Sequence, residues 1–146
     1  MSQSMKPSKY KYTFAKIANW NINGIYQKVN NFKINKLEDP LFLDILKAHD
    51  ILCLQETHCG QNDMPSDHIP LYDAIPHCRK ISSNNRYFGG MLLLVKKTIR
   101  KGIKVTHTDD PDILGITLNK EFFWARRRVN YMVCVCTTYK FTVHKE

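Results

Sequence analysis

Apolar residues along this chain fall into short blocks, each closed by polar or turn-forming residues, a rhythm of strands more than of long helices. Tyr12 to Trp20 reads as a first strand and Asn21 to Gly24 as a turn. Ile25 to Phe32 is expected to form a short helix. Asp39-Pro40 marks a second helix start: Asp39 can cap, and Pro40 suits the first helical position. Leu41, Ile45 and Leu46 then recur at helical spacing to about His49. A strand from Asp50 to Leu54 follows almost at once and completes a β-α-β unit.

Beyond that unit the pattern stays strand-like. Thr57 to Ile69 is polar and aperiodic, a loop; Leu71 to Ile75 is a short strand before Pro76; Lys80 to Asn85 is a Ser/Asn-rich turn. Gly89 to Val95 is nearly all apolar, as expected of a central strand buried on both faces. Ile103 to Thr106 and Leu114 to Leu118 are strands separated by a turn at Asp109-Asp110-Pro111. Glu121 to Trp124 connects to a last, valine-rich strand at Val129 to Val135.

Composition narrows the class. The chain has 146 residues and is 43% hydrophobic, enough for one domain with a real core and too apolar for a disordered chain. No apolar run approaches the roughly 18 residues needed to span a bilayer. The polar, basic stretch Met1 to Lys11 reads as a disordered lead and not as a secretory signal, so secretion is not expected. A net charge of +9 suggests a polyanionic partner. Lys96, Lys97, Arg100, Lys101 and Lys104 form the densest basic cluster, facing either a phosphate backbone or water. Five cysteines without a signal peptide fit free thiols in a reducing compartment, with Cys53 a small core residue. His58-Cys59 and His77-Cys78 lack the short ligand spacings of structural zinc sites, so zinc is not expected there.

Two runs carry candidate chemistry. Asn19-Trp20-Asn21-Ile22-Asn23-Gly24 and Leu52-Cys53-Leu54-Gln55-Glu56-Thr57-His58 each leave an apolar strand for an amide or a carboxylate. Strand tips of this kind hold a hard metal ion and a phosphate rigidly, or simply make turns. Together with Phe88-Gly89-Gly90 ahead of a central strand, they resemble the exonuclease–endonuclease–phosphatase superfamily. Thr98 to Val105 and Asp112 to Leu118 are similar to the apurinic-like endonuclease domain of non-LTR (LINE-type) retrotransposons.

The resemblance covers about residues 14 to 123 and implies an α/β sandwich present as its N-terminal half. A broad apolar face would then stay uncovered and favour self-association. It also implies Mg²⁺- or Mn²⁺-dependent hydrolysis of phosphodiesters, with DNA as partner and the nucleus as the place of action. Glu56 matches the metal-binding glutamate. Asn21 matches the asparagine that orients the phosphate, and Asn23 stands where many relatives carry Asp. Gln55 is a supporting residue, and Lys96, Lys97, Arg100 and Lys101 are candidate nucleic-acid contacts. A catalytically inactive retroelement fragment, at most a basic nucleic-acid binder, is the alternative.

The pattern breaks down after Phe123. The family's later motifs, a strand-end Tyr, an Asp-x-Asn pair and a closing Ser-Asp-His, do not occur where expected. Ser66-Asp67-His68 spells the last of these, but in an early loop, and reads as coincidence. Residues 124–146 are expected to be a divergent, frame-shifted tail: a reading displaced by one base from the Trp124 codon permits a glutamate-rich stretch and then a strand ending in Tyr.

Overall fold

The computed structural model describes residues 15–65, 69–78, 87–119 and 122, and the backbone of 132–135. The expected lead, the Ser66-Asp67-His68 motif, the Lys80 to Asn85 turn and the arginines 126–128 lie outside the described residues.

Among the described residues, nine strands and one α-helix are arranged as a main sheet, a hairpin and a second sheet. In the main sheet β1 (Ile17–Asn21), β4 (Ile51–Gln55), β6 (Met91–Lys96) and β5 (Tyr72–His77) lie in the order β1-β4-β6-β5. β1 and β4 are parallel, as the β-α-β reading requires, while β6 runs antiparallel to both of its neighbours. The expected strand before Pro76 continues through it to His77. Pro76 is tolerated because β5 is an edge strand, where a missing amide donor leaves no neighbour unpaired.

Strand alternation sends each central strand into two cores. Leu52, Leu54, Leu92 and Leu94 pack under α1 (Pro40–Lys47) with Phe42 and Leu46. Ile51, Cys53, Met91, Leu93 and Val95 face the other way. The helix begins as expected: the Asp39 carboxylate accepts from the Leu41 amide at 2.8 Å, and Pro40 opens the first turn.

The helix expected over 25–32 is instead a hairpin, β2 (Tyr26–Val29) and β3 (Phe32–Asn35). Asn30 and Asn31 both have positive φ, 48° and 68°, the geometry of a two-residue turn that matches strand twist. The spacing of Ile25, Val29 and Phe32 mimics a helical face, and local turn chemistry overrides it.

The second sheet contains β7 (Ile103–His107), β8 (Ile113–Leu118) and β9 (Met132–Val135) in antiparallel order. Ile103, Leu114 and Ile116 pack against the inner face of β4 and β6. Among the described residues, the inner face of β4 and β6 is thus covered by the facing strands. The fold is an α/β sandwich.

Candidate active-site rim

Asn21 and Glu56 meet at one rim because their strands are parallel neighbours that leave the sheet together. Asn21 is in register with Gln55, and Glu56 follows by one residue. Beyond the strands the two segments remain joined by backbone bonds: Ile22 N–H donates to Gln55 O (3.1 Å), Gly24 N–H to Glu56 O (2.6 Å) and Ile25 N–H to Thr57 O (3.0 Å). The opposite side of the loop is clipped to the start of β6, since Thr57 N–H donates to Gly90 O (3.1 Å) and His58 N–H to Gly89 O (2.9 Å).

This bracing holds an unusual backbone. Glu56 and His58 have φ of 54° and 52°, in the left-handed region that few residues other than glycine and asparagine occupy. Such conformations persist when surrounding bonds over-determine them, and they cluster at functional sites. Gly90 is needed for closeness as well as for its φ of 84°, because an added Cβ would lie 2.7 Å from Thr57 Oγ1. Thr57 is wholly buried and its hydroxyl has no partner among the described residues.

The conformation aims the side chains. His58 Nε2 donates to Glu56 Oε2 at 3.0 Å, and both side chains are about one-third exposed (36% and 35%). Asn21 Oδ1 accepts from the Asn23 amide at 3.0 Å, which fixes Asn23 at a φ of 47°. Lys36 Nζ donates to the carbonyls of Ile22 (2.6 Å) and Asn23 (3.2 Å), tying the same turn from behind. Gln55, half-buried, is in register with both Asn21 and Met91. A groove of about 360 Å³ beside Asn21 and Asn23 is walled by Trp20, Lys36, Leu41 and Ile45, and Glu56 does not line it.

A hard cation such as Mg²⁺ takes oxygen ligands, keeps several waters, and is commonly held by one or two carboxylates plus substrate phosphate. Glu56 fits that demand: its carboxylate is rigid, reachable from solvent and oriented by His58. Asn23 adds a neutral amide where a second charge would strengthen binding. Among the described residues no three His, Cys, Asp or Glu side chains form a ready-made metal cluster.

The basic cluster is placed elsewhere. β6 enters at Met91, beside Gln55, and leaves at Lys96, so Lys96 to Lys104 lie toward the opposite rim, about 17 Å away at roughly 3.4 Å per residue. Lys96 Nζ donates to Asp50 Oδ1 (3.1 Å) and Lys47 O (3.2 Å), and Arg100 Nη1 donates to Ile103 O (2.7 Å). Burial would raise the Asp50 carboxyl, but the Lys16 amide and the Lys96 ammonium outweigh it and hold it below its ordinary value. Lys96 and Arg100 are therefore engaged in contacts within the fold, while Lys97, Lys101 and Lys104 are exposed.

One rim residue entered the sequence analysis only within the His77-Cys78 pair, where zinc was not expected. His77 pairs with Met91, which pairs with Gln55, so Asn21, Gln55, Met91 and His77 form one row on the same face of the sheet. His77 Nδ1 lies 3.0 Å from Nδ1 of His107, and His77 Nε2 donates to Asp110 O at 3.0 Å. In the sequence His77 lies past the expected strand end at Ile75; its position in the row depends on three strand pairings across four strands.

With the geometry in place, comparison with known protein families gives a match. Residues 18–139 fit the family described as Endonuclease/Exonuclease/phosphatase family, a span that runs past residue 123 into the segment read as divergent. No curated protein matches the chain.

Proposed function

Since the chain belongs to the endonuclease/exonuclease/phosphatase family, we propose that it is a phosphodiester hydrolase that uses Mg²⁺ or Mn²⁺ and acts on DNA, of the kind found in LINE-type retrotransposons. The observation that carries this reading is the left-handed backbone at Glu56 and His58, braced on both sides at the rim where Asn21 also emerges. Strain of this kind needs a use, and a fixed carboxylate is one.

Glu56 would hold the metal ion, with Asn23 and Gln55 supporting the surrounding turn. When bound, the ion neutralises charge on the phosphate and on the leaving oxygen. Asn21 spends its carbonyl oxygen on the Asn23 amide, which leaves its NH₂ as the donor for a phosphate oxygen. His58 acts through Glu56: its Nε2–H fixes one carboxylate oxygen and so sets the rotamer. The net charge of +9 favours a polyanionic substrate, with Lys97 and Lys101 contributing attraction at a distance.

Nicking of supercoiled plasmid in the presence of Mg²⁺ is the test. Glu56→Gln keeps the shape of the side chain and removes its charge, and is expected to lower the nicking rate by at least ~10². Undiminished nicking in that variant would remove Glu56 from the mechanism. The second reading is an inactive retroelement-derived DNA binder, supported by the net charge of +9. Salt-sensitive DNA binding without cleavage is its signature. Hydrolysis of small phosphoesters without nicking would move the substrate from DNA to a phosphatase-type ligand.

A further inference from the structure

His77 and His107 approach each other from two sheets. His77 ends β5 on the inner face of the main sheet, in line with Met91. His107 ends β7 opposite Leu114, on the inner face of the second sheet. Their Nδ1 atoms are 3.0 Å apart and the ring centroids 5.2 Å apart. His77 is buried, at 8% exposure, while His107 is exposed.

The proton count at this contact is restrictive. A backbone carbonyl only accepts, so the bond from His77 Nε2 to Asp110 O fixes the proton on Nε2 and leaves a lone pair on Nδ1 of neutral His77. One proton, carried by His107 Nδ1, can occupy the gap between the rings. In its other tautomer, with the proton on Nε2, His107 turns a second lone pair toward the first.

We infer that His77 and His107 form a two-nitrogen site for a first-row transition-metal ion, two strands along the row from Gln55. Metal–imidazole bonds of about 2.0–2.1 Å across a 3.0 Å nitrogen separation subtend roughly 90–100° at the ion. That angle suits adjacent positions of a square-planar or octahedral ion such as Ni²⁺ or Cu²⁺. A tetrahedral ion needs a separation nearer ~3.3 Å, so Zn²⁺ requires the rings to part. The remaining positions face the exposed His107 side and are filled by water or an anionic oxygen.

Two further features fit. Metal-bound histidines characteristically donate their other ring N–H to a carbonyl or carboxylate, which fixes the tautomer, and His77 already makes that bond. The turn after His107 carries Asp109, Asp110 and Asp112, a negative setting for a cation. Cys78, the neighbouring thiol, is pushed above its ordinary range by burial and is therefore a poor competitor as a thiolate ligand.

Calorimetric titration of the reduced full chain with Ni²⁺ tests the site without reference to catalysis. The expected result is one ion per chain and a rise in melting temperature with added Ni²⁺. Either His107→Ala or His77→Ala should lose at least ~10-fold in affinity and lose the thermal shift. His107 is exposed, so its variant carries the test even where the buried His77→Ala misfolds. Failure of the wild-type chain to bind Ni²⁺, or unchanged affinity in His107→Ala, overturns the proposal and leaves an ordinary imidazole hydrogen bond. Loss of binding only in Cys78→Ser or Glu56→Gln overturns it as well, by placing the ion elsewhere.

Discussion

At Glu56 the left-handed backbone costs about 1–2 kcal/mol that a glycine would avoid. Glu56→Gly is therefore expected to melt no lower than the wild type while losing the carboxylate, a separation of stability from activity that calorimetry beside a nicking assay would display. Gly90→Ala should do the opposite. With φ of 84° and a Cβ placed 2.7 Å from Thr57 Oγ1, it is expected to cost about 1–3 kcal/mol in denaturant unfolding. Cys59 offers a pH handle. Burial above all, then Asp63 and Cys78, push its thiol from 9.0 to about 11. Because the folded state favours the neutral thiol, this contribution to stability is complete below pH 9 and is lost as pH rises to about 11. Melting curves across that range should fall, and iodoacetamide at pH 8 should leave Cys59 unmodified in the native protein. At this scale the sequence made Glu56 and Asn21 visible through their strand-end context. It could not show His77, whose neighbours are set by pairing between distant strands, nor the engagement of Lys96 and Arg100 in the fold.

Among the elements, those with local signals were readable. Asp39-Pro40 announced α1, and Asp39→Ala is expected to lose about 1 kcal/mol, measurable by chemical denaturation, because the Leu41 amide loses its acceptor. β4 and β6 were readable as buried strands because both of their faces are apolar. The β2–β3 hairpin was misread because two consecutive asparagines give a weaker turn signal than Asn-Gly, while the apolar spacing across them fits a helix. β5 ran past its expected end because proline breaks a central strand but not an edge strand.

Across the whole molecule, the two sheets share the core that contains Leu93, Val95, Leu114 and Ile116. Leu93→Ala should cost about 2–5 kcal/mol, and near-UV circular dichroism and calorimetry should report one transition, since neither sheet keeps its inner face without the other. Separate transitions for the two sheets would show that the shared core is weak. Large apolar side chains that do reach the surface include Trp20, Val29, Phe32, Ile34, Leu41 and Ile45, on β1, the hairpin and α1. The frame-shift proposed for residues 124–146 is decided by the transcript: codons incompatible with the displaced reading end it.

Lys36 reaches from the end of the hairpin to two carbonyls behind the Asn21–Gly24 turn. An acyl group on that amine would erase its charge and lengthen the side chain, so the turn would slacken although nothing that meets the phosphate had been altered. The set of the Asn21–Gly24 turn therefore depends on the charge of an amine that also walls the neighbouring groove.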